Sequence, residues 1–218
     1  MSRPTLDAIE TRVAGALAEK ALATPDHYPL TMNSLVAACN QRSSRDPVTA
    51  YSEREVKEAV ERLMRRGLVG TTAGSGHRVV KFRHTLDHAL GLSKRELATL
   101  AVLMLRGEQT AGEIRTRCAR LADFASVDDA EEALWMLGDR DEPLAVRLPR
   151  APGQSTDRYV HALSGEVEAA PPQAAEEGGG EAVAPVAGGP TLADRVAALE
   201  AELARLRAEM EAFRAQFE

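Results

Sequence analysis

Cysteine occurs only twice, at Cys39 and Cys118, far apart and without CxxC spacing. Both lie on apolar helical faces, which reads as two buried free thiols in a reducing compartment and leaves no metal or redox motif. The N-terminal MSRPTLDAIE lacks a charged segment followed by an apolar one, and no stretch approaches the apolar length that spans a bilayer. The expectation is a cytoplasmic protein with no membrane contact. No GxSxG, HExxH, P-loop or dinucleotide glycine pattern is present, and GTTAGSG lacks the lysine and following helix of a phosphate cradle. His84 and His88 flank Asp87 without a clear third ligand, so their spacing reads as coincidence. These absences predict a non-enzymatic chain with no cofactor and no metal.

What the chain does hold is charge, unevenly spread. The net charge is −6, but residues 1–86 carry 13 basic against 9 acidic side chains, while residues 87–165 carry 10 against 13. Residues 166–218 carry 4 against 11. Any nucleic-acid contact therefore belongs to the first part, and the tail would repel phosphate. The apolar share of 44% is ordinary for a folded chain.

Leu6, Ile9, Val13, Ala16 and Leu17 recur at helical spacing and predict an amphipathic first helix, broken by Pro25 and Pro29. A second helix follows Thr31, with Leu35, Ala38 and Cys39 inward. A third begins at Ser52, where Glu55 completes a capping box, carries Val56, Ala59, Val60 and Leu63 as one stripe, and stops at Gly67. LVGTTA and RVVKF then read as two strands around a glycine turn, the order of a winged helix.

The order recurs. Leu97, Leu100, Ala101 and Met104 stripe another helix; Thr110 with Glu113, and Ser126 with Asp129, cap two more; LAVRLPR and RYVHAL read as strands. The predicted fold is mainly α with small β wings. It comprises two tandem winged-helix domains (1–86 and 87–165), a disordered linker rich in Ala, Pro, Gly and Glu (166–190) and a C-terminal coiled-coil helix (191–218). In that last segment Leu192, Val196, Leu199, Leu203, Leu206, Met210, Phe213 and Phe217 alternate at four and three. With Val196 at position a, Arg195, Glu202 and Glu209 face Glu200, Arg207 and Arg214 of a parallel, in-register partner. Each exposed pair contributes only about 0.2–1 kcal/mol, so the charges select geometry and the seam attracts. The expectation is a parallel homodimer; the alternative is a helix folded back on its own domains.

For double-stranded DNA, the third helix would enter the groove and the wing would touch backbone. Opposite its apolar stripe lie Arg54, Glu58, Glu61 and Arg65, with Lys57 on one flank and Arg62 and Arg66 on the other; the two acids weaken phosphate contact unless they form ion pairs, Glu58 with Arg62 and Glu61 with Arg65. The wing adds His77, Arg78, Lys81 and Arg83, and the preceding loop adds Arg42 and Arg45. The equivalent helix of the second domain bears Asp128, Asp129, Glu131 and Glu132 and suits packing or partner binding. Trp135 there, beside Leu134 and Leu137, reads as a core residue, with a partner anchor as the alternative. The wing residues Arg147, Arg150 and Arg158 receive no role.

The strings LAEKALATPDHYPLTMNSLVAACNQ, RDPV, GSGHRVVKF, MLRGEQTAGEIR and RYVHALSGEV resemble the YceH-like family of uncharacterised bacterial proteins over residues 5 to about 168. The resemblance implies a tandem winged-helix fold and no particular activity. Asn33, Asn40, Gln41, Arg42 and Arg45 within the first of these stretches and its continuation form, with the wing, an expected contact strip; the alternative for Asn33 and Asn40 is capping and bracing of backbone. The leading expectation is a DNA-binding or DNA-associated regulator acting through domain 1. The alternative is a protein-interaction adaptor, similar to the acidic tandem winged-helix subunits of chromosome-condensation complexes.

Overall fold

The computed structural model describes residues 3–72, 79–150 and 154–165. Within them the chain is mainly helical with small antiparallel sheets. Helix α1 (Ala8–Ala23) starts at Asp7, whose carboxylate accepts the Glu10 amide at 2.7 Å while Glu10 accepts the Asp7 amide at 2.9 Å. After a 3-10 turn at Pro25–His27 come β1 (Leu30–Thr31) and α2 (Met32–Cys39), capped by Thr31. Helix α3 (Glu53–Arg65) has the predicted Ser52/Glu55 box and buries Val56, Ala59, Val60 and Leu63. Its end is a Schellman turn: Gly67 sits at φ +70°, its amide donates to Met64 O and the Leu68 amide to Leu63 O. Only glycine takes that φ without strain. β2 (Val69–Thr72) and β3 (Lys81–His84) follow, and the sheet order is β1-β3-β2.

A short α4 (Leu86–Leu90) leads to α5 (Lys94–Arg106), α6 (Ala111–Cys118) and α7 (Val127–Gly138), then β4 (Ala145–Arg147) and β5 (Tyr159–His161). All three longer helices begin with capping boxes, at Ser93, Thr110 and Ser126. The edge position that β1 takes in the first half is taken here by Gln109, which bridges Tyr159 just before the Thr110 cap. One more device repeats. The N3 glutamate of each first helix receives an arginine from the end of the third: Arg66 reaches Glu10 at 3.7 Å, and Arg140 reaches Glu96 at 2.5 Å.

The two halves share one core. Helix α1 packs on α2 and α3 on one side and on α5 on another, so residues 10–18 are buried all round and the helix expected to be amphipathic is a central one. Gly15 marks the closest approach, since a Cβ there would lie 3.1 Å from Leu105 Cγ and Met104 Cβ. Leu17, Leu35, Leu63, Leu100, Leu134 and Leu163 are fully buried, each contributing about 1.5–3 kcal/mol by transfer from water. The chain is stitched at its edges as well: the Leu6 amide donates to Leu163 O at 2.6 Å and the Asp46 amide to Leu105 O at 2.9 Å.

Cys39 and Cys118 are buried free thiols, as expected, and burial pushes both up to about 12, so neither is a thiolate near neutral pH. Trp135 departs from expectation: it is 61% exposed, because Ala133, Leu134 and Leu137 turn inward and leave position 135 on the outer face. No described helix is long and apolar enough to cross a membrane. The heptad residues Leu192 to Phe217 and the wing-tip residues His77 and Arg78 lie outside the described residues.

Candidate functional site

The outer face of α3 carries the predicted Arg54, Lys57 and Arg65, all exposed. Arg54 is paired with Glu58 at 2.9 Å, one turn on, and that carboxylate raises its pKa. Lys57 and Arg65 have no ion pair with any described residue. The alternative pairing of Glu58 with Arg62 does not form. Arg62 turns back to α1, to Asp7 at 2.7 Å and Glu10 at 2.9 Å, and so ties α3 to the body. On β3, Phe82 packs on the core, which turns Lys81 and Arg83 to the other face; Lys81 stands between Thr31 and Thr72, and Arg83 is exposed.

The loop before α3 behaves differently from the predicted contact strip. Arg42 is exposed, but Arg45 is not a surface residue and cannot touch a phosphate. Its guanidinium is drawn inward to Glu19 at 3.0 and 2.6 Å, to Ala38 O at 3.1 and 2.9 Å, and to Ser44 O at 2.8 Å. Buried Arg12 holds the same loop through Cys39 O and Pro47 O. Asn40 braces it, donating to Tyr51 O at 2.7 Å and accepting the Tyr51 amide at 2.8 Å, while Asn33 is exposed. Two polar side chains of the expected contact strip, Arg45 and Asn40, are thus spent on closing carbonyls that would otherwise be left unpaired.

Helix α7 is the counterpart of α3, and counting from the caps Ser52 and Ser126 makes the comparison direct. The inward residues match: Val56 with Ala130, Ala59 with Ala133, Val60 with Leu134, Leu63 with Leu137. The outward ones are inverted. Arg54 is replaced by Asp128, Lys57 by Glu131, Glu61 by Trp135 and Arg65 by Asp139. Trp135, with Met136 beside it, is therefore an exposed apolar spot rimmed by carboxylates, of which Glu132 is 4.0 Å from Arg95. Sequence reasoning had the acids but placed the tryptophan inside; alignment of the two stripes from their caps would have put it outside. Among the described residues no group of three His, Cys, Asp or Glu is placed to hold a metal ion.

Residues 6–154 match the family model described as "Protein of unknown function, DUF480". The chain belongs to the DUF480 family. The match takes in both capped helices, α3 and α7, and the family resemblance read from the sequence motifs holds. Among DUF480-type relatives, the UPF0502 protein GSU0233 of Geobacter sulfurreducens is 46% identical over 224 residues, covering 98% of each chain. A UPF0502 protein of Chromobacterium violaceum is 45% identical over 95% of this chain and 90% of its own. The UPF0502 protein ECA2523 of Pectobacterium atrosepticum is 43% identical over 95% and 97%.

Proposed function

We propose that this chain is a non-enzymatic tandem winged-helix adaptor that docks a basic segment of a partner protein on the outer face of α7. The repeated order of elements, with an edge strand or bridge ahead of each second helix, supports the tandem reading. The observation that carries the docking site is Trp135, exposed at the centre of Asp128, Glu131, Glu132 and Asp139. Tryptophan is favoured at the centre of binding patches, and a carboxylate rim selects lysine and arginine while repelling nucleic acid.

Because Trp135 is the one tryptophan of the chain, its fluorescence reads the site directly. A labelled amphipathic helical peptide of lysine and leucine should shift that emission to the blue, and Trp135→Ala should weaken its binding by about 2 kcal/mol, near thirtyfold. Glu131→Lys with Glu132→Lys should abolish binding, and Lys57→Glu should leave it unchanged. Equal affinity for the parent and Trp135→Ala would remove the site.

A second reading, DNA contact through the first half, is favoured by Arg42, Lys57, Arg65 and Arg83, exposed and without an ion pair to any described residue. It predicts binding of random duplex DNA that falls steeply with salt and is lost in Lys57→Glu/Arg83→Glu. No binding at low salt leaves the adaptor reading alone.

A further inference from the structure

Between the loop after α2 and the α5–α6 junction lies a cavity of about 300 Å³ with four arginines in its walls. Three of them are engaged. Arg45 is held by Glu19, Arg117 lies 3.1 Å from Glu113, and Arg158 is shared between Glu108 at 3.4 Å and Glu113 at 3.6 Å. Arg106 is different: it is partly buried at the last turn of α5, and its guanidinium makes no hydrogen bond or ion pair with any described residue. Burial lowers its pKa most, and the charges of Arg117 and Arg45 lower it further against the opposing pull of Glu19. Asp46, Glu108 and Glu113 also line the cavity, but none of them bonds to this guanidinium, whose half-buried donors are left for an anion in the cavity to meet.

Gln109 supplies a second unfilled valence. The side chain belongs to a residue only 3% exposed, and its Nε2 donates to Arg106 O at 3.1 Å and Glu108 O at 2.6 Å. Those two carbonyls fix which end of the amide is which, and Oε1 is left buried with no donor. On the rim, Ser44 is a non-glycine residue at φ +61°, a strained conformation of the kind that persists where surrounding structure holds it.

We propose that this cavity binds a hydrogen-phosphate group, with Arg106 taking two of its oxygens and its P–OH donating to Gln109 Oε1. A fork of guanidinium donors matches two phosphate oxygens, and a bare acceptor demands a ligand that brings a proton. Sulfate offers the same oxygens without that proton, so the site discriminates against it. The loop that precedes α3 and the turn that opens α6 both wall the cavity.

Isothermal titration of the full chain with inorganic phosphate, sodium sulfate and adenosine monophosphate at about pH 5.5, where both phosphate probes keep a P–OH and sulfate has none, tests this. The expected result is saturable binding of phosphate or of the monoester, with sulfate about tenfold weaker or more. The stronger of the first two names the source as free phosphate or a phosphate ester. Arg106→Gln should weaken binding at least tenfold, yet melt close to the parent without ligand, since the guanidinium it removes holds no hydrogen bond or ion pair with a described residue. Sulfate binding as well as phosphate, binding retained in Arg106→Gln, or no binding of either phosphate probe by titration and phosphorus NMR overturns the proposal.

Discussion

An Arg45→Met chain is expected to unfold with about 3–5 kcal/mol less free energy than its parent, the penalty for breaking a buried ion pair from one side. The side chain of Arg45 is wholly buried, and it satisfies both oxygens of Glu19 together with the Ala38 and Ser44 carbonyls. Methionine fills similar space and bonds to none of them, which leaves the mostly buried Glu19 carboxylate with only the Lys20 ammonium, 3.5 Å away, among the described residues. Urea denaturation measures the loss. Adding Glu19→Leu should recover much of it, because the orphaned charge is then gone. Arg42→Met, three residues away but exposed, should change stability by no more than about 0.5 kcal/mol. A loss below about 1 kcal/mol for Arg45→Met would show that the guanidinium is not holding the loop.

Acid should destabilise the fold in a window above that of ordinary carboxylate titration. His161 is 9% exposed, its Nδ1 has no partner, and burial pulls its pKa down to about 4. In the unfolded chain the same imidazole titrates near 6.5. From about pH 6.5 downward the unfolded state takes up a proton that the folded state refuses until about pH 4. Stability is therefore complete above the upper value and falls by as much as about 1.4 kcal/mol per pH unit, about 3 kcal/mol in all. Burial lowers His84 too, which adds to the same limb. The lowered carboxylates Glu96 and Glu113, held down by hydrogen bonds and arginines, lose their contribution only at lower pH, as pH falls through their folded values. Denaturation midpoints between pH 7 and pH 4 should flatten in His161→Leu; an unchanged slope would assign the effect elsewhere.

What could be read from the residues was local. Ser52 with Glu55, Thr110 with Glu113 and Ser126 with Asp129 are pairs three apart, so their boxes form within one turn whatever surrounds them. The stripe of α3 was legible for the same reason, as was the opposition of Phe82 to Lys81 and Arg83 on β3. Long-range choices were hidden. Nothing near Arg45 announces that Glu19, twenty-six positions earlier, will receive it. The polar side of α1 gave no sign of α5, since Thr11, Gly15 and Ala18 read as outward until a second helix covers them. β1 and the Gln109 bridge are too short for any alternation to register. Trp135 was misplaced because a large aromatic beside two leucines invites burial, although the spacing from Ser126 puts it opposite them.

The close seam at Gly15 makes the halves obligate mates, for a fragment holding either one alone would show water the flank that now faces its twin.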